Sequence, residues 1–373
     1  MQTKNTQSKN RKSRAFKFLL SFLLTIIVTT GVAAGSAAAL RSAVRPPTVD
    51  THVTIQIPLQ QPALAQPSDA TSPTAPTLPT DQEIAYYVPE KPTSIMEFET
   101  LTLERRPNFY TFLLYGLDEG VNVDTIMVAA YDANTGRGYI ISLPRDTRVD
   151  VDRRVGLRKL SASYAFGQAQ GRGHAMGIER LKDEVATLVG FRPDRYIGVD
   201  ERAFIRIIDS IGGVNINVPF HMRYDDPYQN LHINLPAGPQ LLDGRNALHF
   251  SRFRLANAGF RGVTDFERVA NQQQVISAAM EELLSPRSIL RIPELVSIYR
   301  EYVATDLSVF EMGWFAEQAP SLTGLYTYTL PMARTERQGW YEIPDKDELL
   351  LLINRTVNPF VQDITPEMLR IIQ

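Results

Sequence analysis

The amino-acid sequence predicts a layered α/β domain with a mixed central sheet. Beyond residue 107, short apolar runs of strand length alternate with segments of helical periodicity. Hairpin turns and longer crossovers both connect the strand candidates, so antiparallel and parallel pairs are expected in one sheet. With 44% hydrophobic and 21% charged residues among 373, the chain has ordinary globular composition and enough length to bury a core.

The strand and helix candidates follow one another from Phe109 onward. Strands are predicted over 109–115, 125–131 and 139–143, and an Asn134-Thr135-Gly136 turn joins the last two into a hairpin. Helices are predicted over 175–189, ending at Gly190, and over 201–211, ending at the Gly212-Gly213 pair. Further strands are predicted over 195–199, 214–218 and 325–330, and a long amphipathic helix over 265–284. Residues 285–373 are expected to complete the same domain with helices and a final strand.

The formal net charge of -2 averages two unlike parts of the chain. Residues 1–45 contain eight of the 39 basic residues and none of the 41 acidic ones, which leaves an excess of ten acidic residues in the remainder. This charge balance argues against a nucleic-acid partner. The absence of cysteine excludes thiolate metal sites, cysteine nucleophiles and disulfides.

The N-terminal segment is predicted to export the rest of the chain. Residues 18–40 form 23 consecutive uncharged positions, close to the roughly 20 that a membrane-spanning helix needs. Six basic residues precede them in a tail over 1–17, which predicts a cytoplasmic N-terminus and an extracytoplasmic domain. The alternative is a cleaved signal peptide, because small residues follow the apolar run. Length favours a single-pass membrane anchor.

A proline-rich segment separates this anchor from the folded part. Residues 46–107 contain eleven of the 24 prolines, mixed with Thr, Gln, Ser and Ala. We predict an extended linker over 41–107 that holds the domain off the membrane. Its alternative is a disordered connector with no role beyond reach.

Arginine is the residue type that indicates chemistry in this chain. Phosphate-loop, zinc-protease and serine-hydrolase motifs are absent, and the five histidines lack the spacing of zinc ligands. Five arginines, by contrast, fall within the 24 residues from Arg245 to Arg268. Guanidinium groups suit phosphate oxygens, and Arg252-Phe253-Arg254 would point two of them to one face if extended. Arg268 and Gln272 lie one turn apart near a helix start, where anions are favoured. The alternative is a solvated, salt-bridged face.

Two carboxylates and a further arginine lie at predicted strand ends. Asp118 follows the first strand and Asp124 opens the second, so their loop can bring both to one sheet edge. Such a pair could hold Mg²⁺, which takes one or two carboxylates together with substrate phosphates. Either aspartate alone would more often be a turn or cap residue. Arg145 follows the third strand, and its alternative role is a local pair with Asp146.

The order of these motifs resembles the LytR-CpsA-Psr family over about residues 109–280. That family consists of membrane-anchored, outward-facing transferases that move a teichoic acid, capsular polysaccharide or similar polymer from a polyprenyl-pyrophosphate carrier onto peptidoglycan. This chain departs from the family pattern at Asn271, where a second arginine is common, and in the 119–123 loop, which has no arginine. The motifs are Gly116-Leu117-Asp118, Asp124-Thr125-Ile126-Met127, Ser142-Leu143-Pro144-Arg145-Asp146-Thr147, Lys159 with the 161–167 segment, Gly212-Gly213-Val214, the 237–244 segment, Arg252-Phe253-Arg254 and the 265–268 segment.

The resemblance implies a catalytic domain over 108–284 that acts as a Mg²⁺-assisted phosphotransferase and forms a phosphodiester link to a peptidoglycan hydroxyl. It implies catalytic roles for Asp118, Asp124 and Arg145, with both aspartates as the metal ligands. An apolar tunnel is expected for the carrier's hydrocarbon chain. The alternatives are a non-catalytic envelope regulator, a lipid-pyrophosphate binding protein or a carrier pyrophosphatase. The implied pyrophosphate-binding residues are Arg145, Lys159, Arg252, Arg254, Arg268 and Gln272.

Overall fold

The computed structural model describes residues 45–58, 98–117, 123–149, 158–227, 231–283, 291–318, 321–337 and 339–371. The predicted tail and anchor, residues 59–97 of the predicted linker, and Asp118 lie outside these ranges. Within them, no helix is both long and apolar enough to cross a bilayer.

The secondary structure alternates as the hydrophobic periodicity predicts. The strands are β1 (His52–Pro58), β2 (Phe98–Glu104), β3 (Phe109–Leu117), β4 (Val123–Asp132), β5 (Arg137–Leu143), β6 (Arg148–Val149), β7 (Arg158–Lys159), β8 (Arg195–Asp200), β9 (Val214–Val218), β10 (Met222–Asp226), β11 (Leu231–Leu235), β12 (Gly238–Leu242), β13 (Val303–Thr305), β14 (Gly324–Thr329), β15 (Met332–Glu336) and β16 (Tyr341–Pro344). The helices are α1 (Ser163–Gly167), α2 (Gly173–Val189), α3 (Glu201–Ser210), α4 (Gly244–Arg252), α5 (Asp265–Leu283), α6 (Ile292–Tyr302), α7 (Val309–Gln318) and α8 (Lys346–Thr356).

A six-stranded mixed sheet forms the centre, with the order β13-β8-β3-β4-β5-β14. The β3, β4 and β5 strands are antiparallel neighbours, whereas β8 runs parallel to β3 and β14 parallel to β5. This arrangement confirms the predicted α/β fold with a mixed central sheet. The predicted hairpin is also confirmed, and its turn needs Gly136, whose φ is +65° and whose missing Cβ would lie 1.9 Å from the Ser321 carbonyl oxygen.

The two faces of this sheet bury different sets of side chains, because successive residues of a strand point to opposite sides. Leu113 of β3 and Val128 of β4 pack into the main core. That core also contains Leu181 of α2 and Leu349 and Ile353 of α8. The intervening side chains of β3 and β4 point to the other face, which lies against α3 and α5 across a cavity described below.

A second core lies under α3, α4 and α5, where these helices cover the antiparallel pairs β9–β12 and β10–β11. Asp200 starts α3, since its Oδ1 accepts a hydrogen bond from the Ala203 amide at 2.7 Å. Asp243 starts α4 in the same way, through the Asn246 amide at 2.8 Å. Phe250 at the end of α4 is fully buried. The N-caps therefore fix where both helices begin, and the Phe250 ring anchors α4 in this core.

The predicted linker over 41–107 is wrong at its two ends. The β1 and β2 strands, which lie within it, pair antiparallel from His52 with Glu104 to Pro58 with Phe98. Val53, Ile55 and Ile57 of β1 pack against the main core. Alternating apolar side chains on each strand cover part of the domain, so these residues belong to the fold.

Candidate functional site

Charged side chains meet at one edge of the central sheet. The parallel strands β3 and β8 end side by side, with Leu117 paired with Asp200. Strand β4, the antiparallel neighbour of β3, begins at this same edge, and Asp124 is its second residue. Arg145 follows the end of β5. Glu201 continues directly from β8 into α3. Ligands of α/β proteins commonly bind outside the carboxyl ends of parallel strands, where this group lies.

Arginines and carboxylates at this edge form ion pairs. Arg145 Nη1 donates to Asp124 Oδ1 at 2.5 Å, and Arg252 Nη1 donates to Glu201 Oε1. The four side chains keep 16–33% of their surface exposed, so they are held in place but open to solvent. Each of these two guanidinium groups is therefore matched by a carboxylate in the structure.

The paired groups line a cavity of about 550 Å³ that lies between the central sheet and helices α3 and α5. Four arginines and the carboxylates of Asp124, Asp200 and Glu201 contribute to its lining, and the remainder is largely apolar. A site with an apolar wall and a few convergent polar groups is the usual form of a small-molecule binding site. The apolar wall is formed by Leu114, Met127 and Ile197 of the sheet, Phe204, Ile207 and Ile208 of α3, and Val275, Ile276, Ala279 and Met280 of α5.

Most of the residues singled out from the sequence line this one cavity: Asp124, Arg145, Arg252, Arg254, Arg268 and Gln272. Arg268 and Gln272 both face it from α5, one helical turn apart, and Arg268 is only 7% exposed. The condition of an extended 252–254 segment is not met, because Arg252 is the last residue of α4. The side chain of Phe253 is fully buried and fixes the chain between the two arginines, so both reach the cavity.

Two of the predicted residues do not join this group in the described structure. Lys159 Nζ lies 2.9 Å from Asp146 Oδ1, and Lys159 is not among the residues that line the cavity. Its link to the site runs through Asp146, whose Oδ2 is 3.9 Å from Arg145 Nε. Asp118 lies outside the described residues, so its predicted place beside Asp124 stays a prediction.

Sequence reasoning missed Asp200 and Glu201, and it expected an apolar tunnel without identifying the residues that line it. The two acidic residues stand directly after a predicted strand and open a predicted helix, which is a signal for a site at the carboxyl edge of a sheet. It also missed the reason for Asn271, which is 7% exposed and whose Nδ2 donates to the Phe250 carbonyl at 3.4 Å. Asn271 thus ties α5 to α4.

Two titratable groups, His249 of α4 and Tyr224 of the cavity lining, have pKa values shifted toward the neutral form. Burial, together with the charges of Arg245 and Arg252, lowers the pKa of His249 below its ordinary value of 6.5. Desolvation, followed by the nearby charge of Asp226, raises the pKa of Tyr224 above 10.0. The positive charge of the cavity therefore comes from its arginines.

The described carboxylates supply only some of the ligands that a divalent cation needs. Within the described ranges, no group of three or more histidine, aspartate or glutamate side chains could hold a metal by itself. Mg²⁺ commonly uses one or two carboxylates and takes its other ligands from substrate phosphates and water. Asp124, a partly exposed carboxylate beside four arginines in the same cavity, fits that requirement.

Residues 83–356, most of the chain, match the LytR_cpsA_psr family model. This chain belongs to the LytR-CpsA-Psr family. The match begins before β2 and ends with α8, so it extends well beyond the 109–280 segment in which the motifs occur.

Individual family members resemble parts of the chain. The regulatory protein MsrR of Staphylococcus aureus (strain COL) is 31% identical over 195 residues, which are 51% of this chain and 54% of MsrR. The polyisoprenyl-teichoic acid--peptidoglycan teichoic acid transferase TagU of Oceanobacillus iheyensis is 32% identical over 211 residues, 56% of this chain and 62% of TagU. The matched segment thus spans little more than half the length of these relatives.

The fold is also found in a solved structure of the family. The crystal structure of TagV from Bacillus subtilis matches 67% of this chain and 96% of its own, with a TM-score of 0.54 and 23% identity. At this level of identity the likeness concerns the fold alone, and it agrees with the mixed central sheet.

Proposed function

We propose that this LytR-CpsA-Psr protein transfers a glycopolymer from a polyprenyl-pyrophosphate carrier onto a hydroxyl group of peptidoglycan, forming a phosphodiester bond. One observation carries the proposal: a single cavity combines four arginines with an apolar wall. A polyprenyl pyrophosphate has the same two halves, an anionic head and a hydrocarbon chain. The name of the TagU relative, a teichoic acid transferase, supports the same class of reaction.

In this proposal the arginines bind the phosphate oxygens. Arg145, Arg252, Arg254 and Arg268 supply guanidinium donors and Gln272 supplies an amide donor, and all five line the same cavity. Arg145 and Arg252 exchange their carboxylate partners for phosphate when the carrier binds. Because Arg145 and Arg252 have an anionic partner both before and after the carrier binds, neither guanidinium charge is left unbalanced in the cavity.

The reaction is a displacement at phosphorus. The acceptor hydroxyl oxygen forms a bond to the phosphorus atom next to the sugar, and the bond from that phosphorus to the carrier's phosphate oxygen breaks. The chain's arginines hold the phosphate groups in line and balance the charge that develops on them. Asp124 and Asp118 would hold Mg²⁺, which would add positive charge at the phosphate oxygens. Polyprenyl monophosphate leaves, and no covalent enzyme intermediate is required.

The proposal includes a place for the protein in the cell. Residues 18–40 anchor the chain in the membrane as a single helix, with the basic tail in the cytoplasm and the folded domain outside. The carrier is a membrane lipid and peptidoglycan is extracytoplasmic, so both substrates are within reach of such a domain. A cell-fractionation experiment that found the mature chain without its first 40 residues would overturn the anchor.

A reconstituted transfer assay tests the function. The full-length chain in detergent is given a polyprenyl pyrophosphate with a labelled saccharide, peptidoglycan oligomers as acceptor, and Mg²⁺ or EDTA. We expect label on the acceptor together with released polyprenyl monophosphate, and loss of both with Arg252→Ala. Carrier binding without transfer would identify a binding or regulatory protein instead. Release of saccharide without attachment would identify a carrier pyrophosphatase.

A further inference from the structure

Glu201 has a fixed place in the cavity that none of the sequence motifs indicates. Its neighbour Asp200 caps α3, which makes Glu201 the first residue of that helix and sets the direction of its backbone. Its side chain lines the cavity and keeps 16% of its surface exposed. The carboxylate is thus held by the fold but can still be reached by a molecule that enters the cavity.

The partner of Glu201 is a group that phosphate would bind. Glu201 Oε1 accepts a hydrogen bond from Arg252 Nη1, and the two residues are 51 positions apart in the chain. A pyrophosphate carries more negative charge than a carboxylate and offers several oxygens to a guanidinium fork. Binding of the carrier therefore draws Arg252 toward phosphate and leaves the Glu201 oxygen beside the same phosphate group.

The other carboxylates near this edge have different tasks. Asp200 Oδ1 accepts from the Ala203 amide at 2.7 Å, and Asp200 Oδ2 pairs with Arg202 at 3.2 Å. Asp146 Oδ1 pairs with Lys159 at 2.9 Å. Asp124 is the proposed metal ligand and pairs with Arg145. Carrier binding also separates Asp124 from Arg145, but Asp124 is assigned to the metal, so Glu201 is the carboxylate of this cavity lining that has neither a capping nor a metal-binding task.

We propose that Glu201 is the general base of the transfer, an inference that rests on the function proposed above. The acceptor O–H bond breaks as the hydroxyl oxygen bonds to phosphorus, and the proton passes to a Glu201 carboxylate oxygen. The electron pair of the broken P–O bond leaves with the polyprenyl monophosphate. Transfer of the proton from Glu201 to water then restores the carboxylate and its pair with Arg252.

The test is Glu201→Gln, which keeps the shape of the side chain and removes its charge. We measure kcat and KM in the transfer assay, and binding of farnesyl pyrophosphate, a soluble probe without a saccharide. A general base predicts a fall in kcat of roughly 10²–10⁴-fold. The Glu201 carboxylate competes with the probe for Arg252, so removal of its charge should make the probe bind more tightly, on the order of tenfold at most. Glu201→Asp retains a carboxylate and should recover part of kcat.

A purely structural role predicts the opposite sign. If Glu201 served only to orient Arg252, Glu201→Gln would weaken probe binding and raise KM, and that result overturns the proposal. The matched control is Glu179→Gln, an exposed carboxylate of α2 that likewise pairs with an arginine, Arg192, outside the cavity. It should leave kcat, KM and probe binding unchanged.

Failure of this proposal can be told apart from failure of the proposed function. Transfer by Glu201→Gln at the wild-type rate overturns only the role of Glu201. Absence of transfer by the wild-type chain overturns the function and the base together. Thermal unfolding of each variant shows whether a loss of rate reflects a loss of fold, and Glu201→Asp provides a second, more conservative comparison.

Discussion

The apolar wall of the cavity makes the length of the carrier chain testable. Ala279 lies on this wall in α5, among Val275, Ile276 and Met280. Ala279→Phe adds about six carbon atoms, comparable to one isoprene unit of a carrier, at about 0.8 kcal/mol per buried methylene. The variant should therefore exclude up to about 5 kcal/mol of chain burial. Because a flexible chain can bend around the ring, we expect a loss of affinity between roughly tenfold and 10³-fold.

The measurement compares two pyrophosphates that differ only in chain length. A ten-carbon geranyl compound that fills little of the cavity should bind Ala279→Phe almost as it binds the wild type, while a long polyprenyl compound should lose most of its advantage. Ser277→Phe adds a ring at an exposed position of the same helix and is the control for general effects of the aromatic group. Equal losses for both chain lengths, or none for either, would refute the placement of the hydrocarbon chain in this cavity.

Three further predictions concern the arginines, a buried ion pair and pH. Arg268→Ala should weaken binding of the pyrophosphate probe by roughly 10- to 100-fold, as loss of a charge-assisted hydrogen bond predicts, whereas exposed Arg192→Ala should have no effect in the same calorimetric titration. Asp194→Ala should destabilise the fold by about 3–5 kcal/mol in denaturant unfolding, because it leaves the 5%-exposed Arg105 guanidinium without the carboxylate 2.7 Å away; an unchanged midpoint would contradict this. The lowered pKa of His249 means that the unfolded chain binds a proton at this residue more readily than the folded chain does. The free energy of unfolding should therefore fall as pH drops below about 6.5. Melting curves from pH 8 to 5 should show a weaker pH dependence of stability for His249→Gln than for the wild type.

Local sequence patterns were sufficient to predict the strands and helices that have one buried and one exposed face. The β4–β5 hairpin, α3 and most of α5 lie within a few residues of their predicted bounds because strand alternation, helical spacing and glycine stops act over short distances. The β10–β12 strands and α4 were not predicted. The strands have short, partly polar sequences. Their buried side chains, such as Ile233 of β11, can only be identified once the helices and strands that share the second core are in place.

The candidate site was predictable in its residue types and only partly in its geometry. Guanidinium groups near a helix start indicate an anion wherever the helix lies, which is why Arg268 and Gln272 could be singled out. The pair between Glu201 and Arg252 joins residues 51 apart, and the contact of Lys159 with Asp146 depends on how two short strands meet. The cavity itself exists only because β3 and β8 run parallel beside α3 and α5, a long-range arrangement that no local pattern encodes.

The pairing of β1 with β2 changes the meaning of the proline-rich segment. Residues 59–97 connect β1 to β2, which pair with each other, so this stretch joins two strands of the domain and is not the connection between the proposed anchor and the domain. On the N-terminal side the chain is already attached at Thr48, whose carbonyl oxygen accepts a hydrogen bond from Arg195. With the anchor ending at residue 40 as proposed, only residues 41–47 remain as a tether, about 25 Å when fully extended. A tether of this length would keep the domain close to the bilayer, where a lipid carrier could enter the cavity while part of its hydrocarbon chain is still in the membrane.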